Sequence, residues 1–355
     1  MRIAVDAMGG DFAPGAAVEG AVEAARELGV GIILVGDQAK VNRELTLYDT
    51  SGLDIRVLHT SQVVEMREHA SVIFRKKKDS SIRVAAEIVK AGEAVAVVSA
   101  GHSGAAMASA LFVLGPMKGV ERPAIAARLP NVNGFSLVLD VGANVDCKPV
   151  HLLQFAVMGD AFSRKVLEIQ KPKVGLLSIG EEDTKGNELT KETFKLLKQS
   201  RLNFIGNVEG RDIFNGRADI IVCDGFIGNV ALKISEGLAE AMNSLLRHEI
   251  EGAPGGQVGY LLLRGAFRNF KKKIDYSEYG GAPLLGINGI CIISHGHSSP
   301  KAIKNAVKAA RDFHAKQVNR HIQEDIESMV AGLPAAPRAG QPDSAGDCEK
   351  EGAVK

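Results

Sequence analysis

Tryptophan is absent from the 355 residues, and aromatic side chains make up only 5%. So low an aromatic content argues against base stacking on aromatic platforms, or an aromatic cage, as the main business of the chain. An excess of either charge is missing as well: Lys+Arg number 43 against 42 Asp+Glu, a formal net charge of +1. This balance excludes a polycation built to coat nucleic acid and an acidic solubilising chain. Long hydrophobic runs are absent; no window reaches the ~18 apolar residues of a membrane-spanning helix. Met1-Arg2 runs into Ile3–Val5 and meets Asp6, the pattern of a strand rather than of a signal peptide. The cysteines Cys147, Cys223, Cys291 and Cys348 are widely spaced, without CxxC or Cys/His metal spacing. They read as reduced thiols of a cytosolic protein. Three signatures are also missing: the P-loop GxxxxGK[ST], a dinucleotide GxGxxG after the first strand, and the nucleophile elbow GxSxG.

What is abundant is glycine, 39 residues, with no collagen-like period. Short β-branched runs alternate with longer amphipathic stretches. Strands are predicted at Arg2–Asp6, Gly31–Val35, Asp54–Leu58, Ala94–Ser99, Ser136–Asp140, Lys173–Ile179, Leu202–Gly206, Asp219–Cys223 and Ile290–Ser294. Helices are predicted at Ala16–Leu28, Ser81–Ala91, Gly104–Leu114, Leu152–Glu168, Leu189–Gln199, Asn229–Glu249 and Pro300–Met329. Runs such as Val95–Val98 and Ile220–Cys223 are apolar throughout, as strands covered on both faces are. The expected fold is therefore an α/β/α three-layer sandwich with a largely parallel sheet. Residues 1–330 are expected to form one α/β domain. Residues 331–355 have no apolar period and are expected to be a disordered tail.

In an open α/β sheet, ligands bind beyond the carboxyl ends of strands. Gly-rich turns fall there repeatedly: Asp6–Asp11 with Gly9 and Gly10, Ser99–Gly104 with Gly101, His102 and Ser103, and Asp140–Asn144. Ser178–Asn187, Asp224–Asn229 and Ser294–Ser299, the last with His295 and His297, follow the same rule. Each turn alone is ordinary chain reversal. Together they suggest one anion-binding cleft in a protein that handles phosphate. Asp6, Asp11 and Asp140 have the spacing of metal ligands, but a network of aspartate–backbone turns accounts for them.

Long and specific words carry a resemblance. Asp6-Ala7-Met8-Gly9-Gly10-Asp11, Asp140-Val141-Gly142-Ala143-Asn144-Val145-Asp146-Cys147-Lys148-Pro149 and Tyr279-Gly280-Gly281-Ala282-Pro283-Leu284-Leu285-Gly286 are three of them. Glu182-Asp183-Thr184-Lys185-Gly186 and Asp224-Gly225-Phe226-Ile227-Gly228-Asn229 are two more. From residue 1 to about 330 the chain resembles the bacterial acyl-acyl carrier protein:phosphate acyltransferase family of phospholipid synthesis. One departure is local: the family carries Asn-Thr where this chain has His102-Ser103. The resemblance implies a fold like the phosphotransacetylase and isocitrate-dehydrogenase group, and a homodimer. It implies conversion of acyl-acyl carrier protein and inorganic phosphate to acyl phosphate and free carrier protein, with no cofactor and no metal. It further implies a cytoplasmic, peripherally membrane-associated protein whose product feeds a membrane-bound glycerol-3-phosphate acyltransferase, with no nucleic-acid partner.

That chemistry sets out what the residues must do. Phosphate is itself the nucleophile, and a thiol with a pKa near ~8.5 leaves without strong acid help. What remains is to position phosphate and to stabilise the tetrahedral oxyanion. Lys185, in a Gly-flanked loop, suits phosphate neutralisation; the competing reading is a solvated lysine. Asn229 suits an oxyanion donor, as the resemblance also implies; the competing reading is an ordinary helix N-cap. Gly9, Gly10, Gly101, His102, Ser103, Asn144 and Ser178 are candidate phosphate or carbonyl contacts. His295 and His297 either join them or cap the next helix. Cys147 and Cys223 read as structural.

Residues 258–274 form a basic amphipathic segment near 255–275. Tyr260, Leu263, Phe267, Phe270 and Ile274 share a stripe flanked by Arg264, Arg268, Lys271 and Lys272. Three roles compete for it. It can lie on an anionic membrane, pack on the core, or dock the acidic carrier protein, with Arg75-Lys76-Lys77-Lys78 a rival patch for the carrier. Two other functions share these features: an acyl-CoA:phosphate transferase of phosphotransacetylase type, and a non-catalytic membrane scaffold.

Overall fold

A computed structural model of the chain describes residues 1–65, 68, 76–274 and 276–332. The strands are β1 (Arg2–Asp6), β2 (Gly31–Gly36), β3 (Ile55–His59), β4 (Ala96–Ser99), β5 (Ala124–Asn131), β6 (Gly134–Leu139), β7 (Val174–Leu177), β8 (Phe204–Val208), β9 (Ile220–Val222), β10 (Ala282–Leu285) and β11 (Cys291–Ile293). The helices are α1 (Gly15–Leu28), α2 (Gln38–Leu45), α3 (Ser81–Lys90), α4 (Ser103–Ser109), α5 (Pro149–Lys165), α6 (Glu188–Gln199), α7 (Asp212–Asn215), α8 (Gly225–Gly252), α9 (Gly256–Ile274), α10 (Pro300–Ala315) and α11 (Val318–Gly332). A π-helical turn, Ala110–Leu114, extends α4. From residue 333 onward, the expected tail lies outside the described residues, as does Arg75.

All the strands join in one sheet, ordered β3-β2-β1-β4-β11-β10-β5-β6-β9-β7-β8. Alternation along each strand explains why it is covered twice. Ile3, Val5, Ile32, Leu34, Ala96 and Val98 face one apolar layer with α1, α5, α10 and α11. Ala4, Ile33, Val35 and Val97 face a second layer with α3 and α4. Strands buried on both faces must be apolar at every position, which is why β1, β2 and β4 are legible as runs. Each fully buried Ile or Leu contributes about 1.5–3 kcal/mol. The fold is the expected three-layer α/β/α sandwich.

The sheet is parallel in two blocks, not throughout. β3, β2, β1, β4 and β11 run together, and so do β6, β9, β7 and β8. Between them β10 and β5 pair antiparallel to each other and to their outer neighbours. The second block therefore runs opposite to the first. Neither β5 nor β10 is among the predicted strands. The predicted Pro300–Met329 helix is also two helices, α10 and α11, broken where Gln317 takes a left-handed φ of 49°.

Candidate active-site cleft

The first two Gly-rich turns are tied to each other. Asp6 is buried and accepts hydrogen bonds from the Ser99 hydroxyl at 2.7 Å and the Met8 N–H at 3.2 Å. Burial pushes its carboxyl above the usual range. A side chain on Gly9 would strike the Asp6 carboxylate and the Gly101 nitrogen, so only glycine permits this approach. Gly9, Gly101 and His102 line a crevice of about 10 Å³, room for a single water. His102 is the N-cap of α4, its Nδ1 accepting from the Ala105 N–H at 3.1 Å. An imidazole nitrogen thus does at this position what an Asn side chain does at other N-caps.

Asp140 organises the turn after β6. It is fully buried and accepts from the N–H groups of Ile125, Gly142, Ala143 and Asn144, and from the Asn144 side-chain amide, at 2.7–3.2 Å. Asn144 also donates to the Pro123 carbonyl at 2.7 Å, so it is committed to holding the turn. Of the three aspartates expected to form such turns, Asp6 and Asp140 do, while the Asp11 carboxylate faces His297 instead. α8 is pressed against it: a Cβ on Gly228 would collide with the Asp140 carbonyl, and one on Gly225 with the Asn144 backbone. Asp224 caps α8, accepting from the Ile227 N–H at 2.9 Å. Asn229 is therefore not the cap. It sits one turn inside the helix, exposed, with its Oδ1 3.4 Å from where a Gly142 Cβ would be. Its side chain makes no hydrogen bond among the described residues.

These turns frame a cleft of about 350 Å³. Both strand blocks contribute to it. Ser103 and His295 follow β4 and β11, Gly142 and Asn229 follow β6 and β9, and Arg128 comes from β5. The word Tyr279–Ala282 forms another wall. Of the predicted site residues, Ser103, Asn229 and His295 come together here; Gly9, Gly101 and His102 line the neighbouring crevice.

The others lie elsewhere. His297 is exposed, its Nδ1 3.0 Å from Asp11 Oδ2 and its ring edge-on to Phe12. Ser299, not either histidine, caps α10. Lys185 is exposed on the loop after β7, its N–H bonded to the Glu182 carbonyl, and does not line the cleft. Because β7 is parallel to β9, that loop leaves the same sheet edge as Asp224–Asn229. Ser178, at its base, has a buried hydroxyl without a partner among the described residues.

Several cleft residues escape the sequence reading, Arg128 and Lys233 among them. Arg128 sits 5.4–5.8 Å from the ring centres of Phe135, Phe162 and Tyr279 and has no ion pair among the described residues. Burial lowers its pKa below the arginine norm. Nothing in the sequence around it announces a strand. Lys233 lies one helical turn beyond Asn229, so the spacing Asn229-x-x-x-Lys233 could have found it. Its ammonium is 2.7 Å from Glu236 Oε2 and 3.3 Å from His295 Nε2. Burial, and then the Lys233 charge, push the His295 pKa down, so its imidazole is neutral at pH 7.

The described cysteines offer no nucleophile. Burial pushes Cys147 up to about 11 and Cys291 up to about 12, and raises Cys223 as well. All remain protonated thiols at neutral pH. The cleft instead gathers a neutral amide, hydroxyls, an imidazole and cations around the Glu236 carboxylate, donors suited to negative oxygen.

Beyond the cleft, the consecutive helices α8 and α9 carry a large apolar exposure. Ile227, Ile234, Leu238, Met242 and Leu245 follow one another at helical spacing and are all more than two-fifths exposed. On α9, Leu262 is 81% exposed, with Val258, Leu261, Leu263 and Phe270 beside it. Phe267 stacks on Tyr260 with ring centres 5.2 Å apart. Arg264 and Arg268 are exposed. α9 runs unbroken through Gly259 and Gly265 and includes Lys271 and Lys272. Among the described residues, no helix is long and apolar enough to cross a membrane.

A family model described as "Fatty acid synthesis protein" matches residues 1–321. The phosphate acyltransferase of Citrifermentans bemidjiense is 61% identical over 342 residues, 96% of this chain and 97% of that one. The phosphate acyltransferase of Geobacter sulfurreducens is 58% identical over 328 residues, 92% of this chain and 95% of that one. Among solved structures, the EutD phosphotransacetylase from Staphylococcus aureus aligns with a TM-score of 0.58 at 18% identity. It covers 88% of this chain and 94% of that one, a likeness of fold.

Proposed function

The chain belongs to the fatty acid synthesis protein family in which these phosphate acyltransferases fall, and from that membership we infer that it transfers a long-chain acyl group from acyl carrier protein to inorganic phosphate. The near full-length identity carries the reading, and the cleft chemistry supports it. A phosphate oxygen attacks the thioester carbonyl, the C–O bond forms, and the C–S bond breaks to release the carrier thiol. The Asn229 amide, held against Gly142 and without a hydrogen-bond partner among the described residues, donates to the oxyanion. Lys185 neutralises phosphate charge from the neighbouring loop; unchanged kcat and phosphate KM in Lys185→Ala would remove it from the mechanism. The acyl phosphate is a reactive mixed anhydride, consumed by a membrane-bound glycerol-3-phosphate acyltransferase.

The assay that tests this reading supplies long-chain acyl-acyl carrier protein or acyl-CoA, each with and without phosphate and without membranes. Phosphate-dependent release of free carrier protein is expected. Turnover with acyl-CoA alone would assign the phosphotransacetylase-type reaction instead. No turnover with either donor would leave a scaffold.

The exposed helices supply the remaining parts of the reading. The α8 stripe is proposed to be covered by a second copy of the chain, making a homodimer. Leu238→Glu should then halve the mass measured by light scattering, and an unchanged mass would exclude this face. The α9 surface, with Arg264 and Arg268 beside apolar side chains, is proposed to rest on anionic lipid. Leu262→Glu should abolish sedimentation with phosphatidylglycerol vesicles; full retention would place the lipid contact elsewhere.

A further inference from the structure

Resting on that reaction, we propose that Lys233, His295 and Ser298 form the phosphate-binding subsite of the cleft, and that the Glu236 carboxylate holds the place of phosphate when none is bound.

All four side chains belong to residues that line the cleft. Glu236 Oε2 lies 2.7 Å from the Lys233 ammonium and 3.8 Å from His295 Nε2. The tautomer of His295 follows from its other nitrogen. Nδ1 accepts the His297 N–H at 3.2 Å, so the proton of the neutral ring is on Nε2. Lys233 and His295 Nε2, 3.3 Å apart, are then both donors. They face each other without a bond between them, and both face one carboxylate oxygen. Two donors converging on an oxygen that only accepts is the geometry a phosphate oxygen requires.

Ser298 gives an independent indication. It is 3% exposed, and its hydroxyl has no hydrogen-bond partner among the described residues. Such a group costs stability unless a ligand or water satisfies it. It directly precedes the N-cap of α10, a helix of 16 residues whose first-turn residue Ala302 also lines the cleft. The partial positive charge of that helix end favours an anion at the same place. Asn229, four residues before Lys233 on α8, lies on the same helix face, so phosphate held here is beside the proposed oxyanion donor.

Glu236 must give way for phosphate to enter, because a carboxylate and a phosphate oxygen cannot share one cation pair without repulsion. It is a quarter exposed and can turn toward solvent. The carboxylate keeps Lys233 compensated in the empty cleft and competes with weakly bound anions.

The test is titration of the full-length chain with inorganic phosphate, followed by calorimetry, with no acyl donor present. Lys233→Met should weaken phosphate binding by roughly ten- to a hundredfold, the range for losing one bond to a charged group. Glu236→Gln should tighten it by about threefold or more, as removal of a competing charge does. Melting curves identify any variant that fails to fold, and the opposite direction of Glu236→Gln cannot arise from damage. In turnover the KM for phosphate should move the same way, with the KM for acyl carrier unchanged. Wild-type phosphate affinity in both variants would overturn the subsite. So would an effect confined to phosphopantetheine, used as a second titrant, or a collapse of kcat in Glu236→Gln at unchanged phosphate affinity. Phosphate binding that shifts as stated, in a protein that turns over no acyl donor, would uphold the subsite and refute the acyltransfer reading separately.

Discussion

Asn229→Ala is expected to lower kcat by about a hundredfold or more while leaving the fold intact. A single oxyanion donor is worth ~10²–10³ in rate, and Asn229 is placed to be one. Its amide makes no bond among the described residues, and it faces the Gly142 turn across the cleft wall. Its helix is capped by Asp224, so alanine removes no cap. Alanine is also the better helix former by several tenths of a kcal/mol, so the melting temperature should hold or rise slightly. Asn229→Asp keeps the shape and removes the donor, and should be as slow as the alanine variant. Steady-state rates together with melting curves decide it: wild-type kcat in a folded Asn229→Ala protein would exclude the role.

Asp140→Ala should cost more stability than any other substitution in the cleft walls. It strips the acceptor from the N–H groups of Ile125, Gly142, Ala143 and Asn144 and from the Asn144 amide at once. Each buried donor left unsatisfied costs about 1–3 kcal/mol, against a folding margin of only about 5–15 kcal/mol. A fall in melting temperature on the order of 10 °C, or loss of soluble protein, is the expected result. Asp140→Asn, which retains one acceptor oxygen, should fall between. Burial raises the Asp140 pKa, so the folded state binds this proton more tightly than the unfolded chain does. Its contribution is therefore fullest below the ordinary carboxylate range and declines as pH rises toward the raised value. It is not a cause of acid unfolding. A melting temperature within 2–3 °C of wild type, about the effect of 1 kcal/mol, would show that water replaces the carboxylate and that the turn does not depend on it.

Much of the fold is legible because of how β1, β2, β4 and β9 are buried. A strand covered on both faces has no polar positions, and the chain shows this as short runs punctuated by glycine. β5 and β10 escape for a physical reason. β5 carries Arg128 and Pro130, and β10 carries Pro283 after two glycines, so neither looks like a central strand. Their antiparallel pairing reverses the second block of the sheet, and no local pattern encodes the direction of a partner far away in sequence. The break between α10 and α11 falls at Gln317 with no glycine or proline to mark it.

The site divides similarly. Asn229 stands out because the Gly225 and Gly228 that press α8 onto the Asp140 turn are visible in sequence. Lys233 and Glu236 look like any helix-surface pair until His295, from the other strand block, is brought against them. Arg128 has no sequence signal at all: its three aromatic neighbours come from β6, α5 and the segment before β10. His102 shows the converse. Its neighbours in sequence suggest a ligand contact, and the structure shows its ring capping α4.

The central claim is that phosphate itself attacks the thioester and that no acyl-enzyme forms. Intact-protein mass spectrometry after mixing the chain with long-chain acyl-acyl carrier protein, first without and then with ¹⁸O-labelled phosphate, tests it directly. The expected result is no acyl adduct on the protein at any stage, no carrier release until phosphate is added, and acyl phosphate retaining all the label. An acyl adduct formed without phosphate, with carrier protein released in step with it, would contradict the account.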